Sequence, residues 1–78
     1  MPRFYFNFRA DGVLLEDRQG AELESVEVAR NEALRAAREM VSERILHGES
    51  IDGEVFEIYD EHGKLIETIT FKDTINFH

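Results

Sequence analysis

The chain is expected to fold as an α+β domain of the ββαββ kind, a four-stranded antiparallel sheet with one long helix packed on one face. Three observations lead there: an apolar helical period over residues 25–47, a strict two-residue alternation over residues 3–9, and turn dipeptides where such patterns stop.

The helix carries the clearest signal. Val26, Ala29, Ala33, Ala37, Met40, Val41 and Ile45 fall on one stripe of a 3.6-residue period, with Glu27, Asn31, Arg35, Arg38, Ser42 and Glu43 opposite. Ser25 can accept from a free amide of the first turn, and Glu24 and Glu27 set negative charge at the positive end of the helix dipole. Gly48 supplies a left-handed stop, with Arg44 and His47 in the last turn. At about 1.5 Å per residue such a helix is roughly 34 Å long, against about 17 to 20 Å for a short strand, so it must cross the sheet obliquely or overhang it. The three alanines let its axis approach the sheet closely.

On the N-terminal side, Phe4, Phe6 and Phe8 alternate with Tyr5, Asn7 and Arg9, which marks a half-buried central strand. Asp11-Gly12 suits a two-residue loop with positive φ at both positions. That loop pairs Ala10 with Val13, Arg9 with Leu14, Phe8 with Leu15 and Asn7 with Glu16, and so sets Val13 and Leu15 on the phenylalanine face. Residues 17–24 read as a connection in which Leu23 staples the helix start.

Beyond the helix, residues 48–53 form a loop, 55–59 a third strand, 60–63 a turn and 65–72 a fourth strand. The tail 73–78 holds Ile75 and Phe77, which either dock or fray. A three-residue loop in this second hairpin would oppose Glu57 to Glu67, a destabilising like-charge pair. A two- or four-residue loop instead faces Phe56 with Ile69 and Tyr59 with Ile66, and is preferred. It directs Leu65, Ile69 and Phe71 toward the helix and turns Glu67 inward among apolar neighbours. With antiparallel neighbours and a right-handed crossover, the strand order is 2-1-3-4. The far face then carries Tyr5, Leu14, Val55, Tyr59, Ile66, Thr68 and Thr70, an apolar set for a face without a helix.

Composition removes several classes of function. Seventy-eight residues make one small domain whose burial only narrowly exceeds its ordering cost, so dimerisation is a natural supplement. The net charge of −8 opposes a phosphate backbone, and the helix arginines alternate with glutamates, so nucleic acid is not an expected partner. The absence of cysteine excludes disulfides and thiolate metal sites. No apolar run reaches spanning length and the N-terminus lacks signal-peptide character, so the expectation is a cytoplasmic protein away from membranes.

The chain resembles a family of short alphaproteobacterial proteins, common in rhizobia and their relatives, described only as a domain of unknown function. The resemblance rests on Met1-Pro2-Arg3-Phe4-Tyr5-Phe6, on residues 17–20 with Glu22-Leu23, and on Ala29-Arg30 with Glu32-Ala33. It continues through Ala37-Arg38-Glu39, Gly48, Asp52-Gly53, Phe56-Glu57-Ile58, Asp60-Glu61 with Gly63, and Phe71 with Asp73. It implies a histidine, in many members, where this chain has Asn7, and no activity, substrate or cofactor.

The chemistry-bearing residues have plain explanations. His47, His62 and His78 lie at a helix end, a turn and the terminus without metal-ligand spacing, so no metal and no cofactor is expected. Asp60 and His62 could serve acid–base chemistry, yet turn tips favour the same residues. Glu67 is the candidate pocket carboxylate, paired with Arg30 or Arg44, or else an edge-strand charge that blocks aggregation. Tyr5, Leu14, Val55, Tyr59, Ile66 and Thr68 are the candidate interface, better suited to protein than to stacked bases at this charge.

The expected function is a non-catalytic module for protein interaction or self-association, as a homodimer or with a protein partner. One alternative is a ligand-binding or enzymatic pocket near Glu67 between helix and sheet. Another is an antitoxin-like neutraliser of a basic partner.

Overall fold

The computed structural model of the chain describes residues 1–74. Its elements are β1 (Arg3–Ala10), β2 (Val13–Leu15), β3 (Ala21–Glu22), α1 (Val26–Leu46), β4 (Val55–Tyr59), β5 (Leu65–Thr70) and a 3₁₀ turn (Phe71–Thr74). The architecture is α+β, one helix on an antiparallel sheet. The sheet has five strands rather than four, so the expected order 2-1-3-4 is corrected to β2-β1-β4-β5 with β3 also paired to β1. Residues 75–78, with Ile75, Phe77 and His78, lie outside the described residues.

The extra strand arises inside the segment read as a plain connection. β2 pairs Val13 with Ala10, Leu14 with Arg9 and Leu15 with Phe8, as the Asp11-Gly12 turn requires, and both turn residues have positive φ. The expected Asn7–Glu16 pair does not extend that ladder. The chain leaves β1 there and returns as β3, with Ala21 opposite Phe4 and Glu22 opposite Arg3. The carboxylate of Asp17 fills the gap. It accepts from the Phe6 amide at 3.2 Å and from those of Gln19 and Gly20 at 3.2 and 3.0 Å, while the Asp17 amide donates to Asn7 Oδ1 at 2.9 Å. One side chain thus takes the place of a missing ladder partner.

The helix begins and ends where its caps dictate. Ser25 Oγ accepts from the Val28 amide at 3.2 Å, and Gly48, at φ 73°, closes the C-terminus as the Glu49 amide bonds the Arg44 carbonyl at 2.8 Å. Ala29, Ala33, Ala37 and Val41 are the buried stripe. The helix packs chiefly against β4, β5 and the 3₁₀ turn, and its ends overhang: Val26 and Ile45 are exposed, and Leu46 is 85% exposed. Val13 and Leu15 share the phenylalanine face as expected, but because the helix favours the other half of the sheet they remain 57% and 61% exposed.

The second hairpin follows the preferred register for most of its length. Phe56 faces Ile69 and Glu57 faces Thr68, so the two glutamates are not opposed. A bulge between Ile58 and Tyr59 then sets Tyr59 opposite Leu65 rather than Ile66, so that Leu65 joins the open-face row instead of facing the helix as expected and Ile66 packs half-buried against the core. β5 ends at Thr70, and Phe71 opens the 3₁₀ turn. There Phe71 is fully buried in a cluster with Phe8 and Phe56, ring centroids 5.2 to 5.7 Å apart.

One buried charge escaped the sequence reading. Glu54, 2% exposed, sits under the helix C-terminus, where its carboxylate meets Arg44 Nη1 at 2.9 Å and accepts from the Asp52 amide at 2.7 Å. Its carbonyl accepts from the Phe71 amide at 2.9 Å. A glutamate ending a glycine-bearing loop has no spacing that distinguishes it from a solvated one, and only the fold encloses it.

Candidate interaction face

The sheet face opposite the helix has no covering layer among the described residues. Register builds its rows: Tyr5 beside Tyr59 and Leu65, Asn7 beside Glu57 and Thr68, Arg9 beside Val55 and Thr70. Leu14 flanks Arg9 from β2. Of the sequence-derived set, Tyr5, Leu14, Val55, Tyr59 and Ile66 are half-buried and Thr68 is exposed. The first four share this face, whereas Ile66 also contacts the core through the bulge.

At the centre of the face lies Glu57, which sequence reasoning passed over. Its Oε2 meets Arg9 Nε at 3.4 Å, and its Oε1 is buried without a hydrogen-bond partner among the described residues. An unmet buried acceptor carries a desolvation cost that an ordinary solvated glutamate does not. Strict alternation could have placed Glu57 on this face, but its burial depends on the neighbouring strands.

Beside it, an open cleft of about 360 Å³ runs between the 16–20 loop and the second hairpin turn. Tyr5, Asn7 and Tyr59 of the sheet line it together with Glu16, Asp17, Asp60, Glu61 and Gly63 of the flanking segments. The tyrosines are held by backbone features. A Cβ on Gly20, which has φ 69°, would come within 2.8 Å of the Phe4 carbonyl and 2.9 Å of the Tyr5 ring, so only glycine lets the loop lie this close. On the other side, Asp60 Oδ1 accepts from the His62 and Lys64 amides at 2.8 and 2.9 Å. These bonds, that of Lys64 first, hold its carboxyl below the usual value of 3.8.

Glu67 occupies a different place. It is opposite Ile58 on the helix side of edge strand β5, partly exposed, with Arg30 Nε 3.7 Å away. Leu34, Thr68, Ile69, Thr70, Asp73 and Thr74 line a groove of about 200 Å³ together with this pair. Arg44, its other expected partner, is bound to Glu54 instead. His47 and His62 are exposed. Among the described residues no group of three or more histidines and carboxylates is arranged to hold a metal ion, and no helix is long and apolar enough to cross a membrane.

One helix on an antiparallel sheet whose other face is open among the described residues makes this a small α+β domain. Residues 3–72 match the family model described as Domain of unknown function (DUF6894), and the chain belongs to that family. No curated protein and no solved structure matches it.

Proposed function

We propose that the protein is a non-catalytic interaction module that binds another protein surface through the open face of its sheet. The observation that carries this reading is the uncovered row structure itself, with Tyr5, Leu14, Val55 and Tyr59 half-buried around Glu57 and no layer above them among the described residues. Aromatic side chains with a polar end suit such contacts, because they contribute large area at small conformational cost. The small core supports the same view, since association would add burial that 78 residues supply sparingly. A cysteine-free chain suits a reducing cytoplasm, where we place the protein.

The test is photo-crosslinking in cells, with the reactive amino acid introduced at Leu14 or Thr68 on the open face and, for comparison, at Arg38 on the helix surface. Discrete protein adducts from the sheet positions and none from the helix position are expected. Adducts of equal strength from both, or none from the sheet, would defeat the reading. The size of the adduct separates self-association from a different partner.

A further inference from the structure

We infer that the cleft on the open sheet face receives arginine or lysine side chains of a basic protein partner. The inference rests on the interaction reading above and adds the partner's chemistry.

The lining shows how a cation would be recognised. No basic side chain of the described residues lines the cleft. Its carboxylates divide into two kinds. Asp17 and Asp60 are committed to backbone amides and shape the walls. Glu16 and Glu61 have no hydrogen bond or ion pair among the described residues and are exposed at the mouth, one on each side. The cross-strand pair Tyr5 and Tyr59 also lines the cleft, and an aromatic ring attracts a guanidinium or ammonium group brought over its face. A long basic side chain therefore meets an aromatic surface for its stem and free carboxylates for its head.

Charge also selects among occupants. The chain carries −8, so a second copy laid face to face would oppose the same carboxylate-lined mouth to itself. A nucleic acid backbone would meet like charge, and the carboxylates are not grouped to hold a metal ion among the described residues. A basic protein surface is complementary in both sign and shape. Arg9 is already paired with Glu57 and Arg3 with Glu22, while Lys64 and His62 act on Asp60 and leave Glu16 and Glu61 without an ion pair among the described residues.

The protein contains two tyrosines and no tryptophan, and both tyrosines line this cleft, so its intrinsic fluorescence reports on the site alone. Titration with nona-arginine, which has no chromophore, at near-physiological salt should change tyrosine emission saturably. Glu16→Lys with Glu61→Lys should weaken binding by about ten-fold or more, while the same charge change on the helix, Glu39→Lys with Glu43→Lys, should weaken it by less than about three-fold. Circular dichroism checks that both pairs fold. Equal weakening by the two pairs would mean general attraction to an acidic protein and would overturn the inference, as would the absence of a saturable signal. A doubled mass by light scattering, with emission that changes on dilution alone, would name a second copy as the occupant and overturn it too. If nona-arginine fails while crosslinks from Leu14 and Thr68 persist, the interaction reading survives and only the basic partner is lost.

Discussion

Asp17 and Glu54 show how much of this fold hangs on single carboxylates placed against backbone amides. Asp17→Ala would leave the Phe6, Gln19 and Gly20 amides without their acceptor, and the expected loss is about 2 to 3 kcal/mol in urea unfolding. At Glu54 the two partners are unequal. Arg44→Ala leaves a carboxylate buried with one amide donor and should cost about 3 kcal/mol. Glu54→Gln keeps an acceptor for Asp52 and leaves an arginine that can reach water, so about 1 kcal/mol is expected. A larger loss for Glu54→Gln than for Arg44→Ala would contradict the burial assigned to this pair. Asp60 adds a pH dependence. Its folded-state pKa is lowered, so its contribution is present above the ordinary value of 3.8 and is lost as pH falls through the lowered one. Melting temperature against pH should therefore fall less steeply in that acidic window for Asp60→Asn than for the unmodified chain.

At the scale of elements, the alternation and the helical period located β1, β4 and α1 because one-sided burial imposes those periods on the sequence. The first hairpin was equally legible, since a loop of defined length sets the register. β3 was not, because two residues pair only after a side chain has bridged the gap, and no period records that. The bulge at Ile58/Tyr59 was missed for a similar reason: it moves the Tyr59 partner by one residue without changing composition. Two substitutions separate the covered half of the sheet from the uncovered half. Ala33→Leu, in the stripe against the sheet, should cost about 1 to 3 kcal/mol through overpacking. Leu15→Lys, on edge strand β2, should change stability by less than about 0.5 kcal/mol despite its apolar pattern, as thermal unfolding would show.

For the whole molecule, the asymmetry of the helix over the sheet is the main consequence. The described residues span 38 × 28 × 16 Å, a thin slab with one helix over β4 and β5 and an open face beneath. Such a slab has little interior for its surface, and association is the expected route to further burial. If that association were with a second copy, light scattering over a wide range of loading concentrations would show a mass that rises with concentration. A monomer at every concentration is expected if the occupant of the face is basic, because two copies bring like charge together.

Local periodicity, turn chemistry and charge are properties of neighbouring residues, and they made the α+β class, the helix with its caps, the turn and register of the first hairpin and the acidic character legible before the fold was known. Alternation alone also brought Tyr5, Leu14, Val55 and Tyr59 to one face. The enclosure of Glu54, the unmet oxygen of Glu57 and the meeting of two tyrosines and four carboxylates from distant segments at one cleft arise from the assembled fold. Burial and convergence depend on which strands lie side by side and which half of the sheet the helix covers, and those are long-range outcomes that no local pattern encodes.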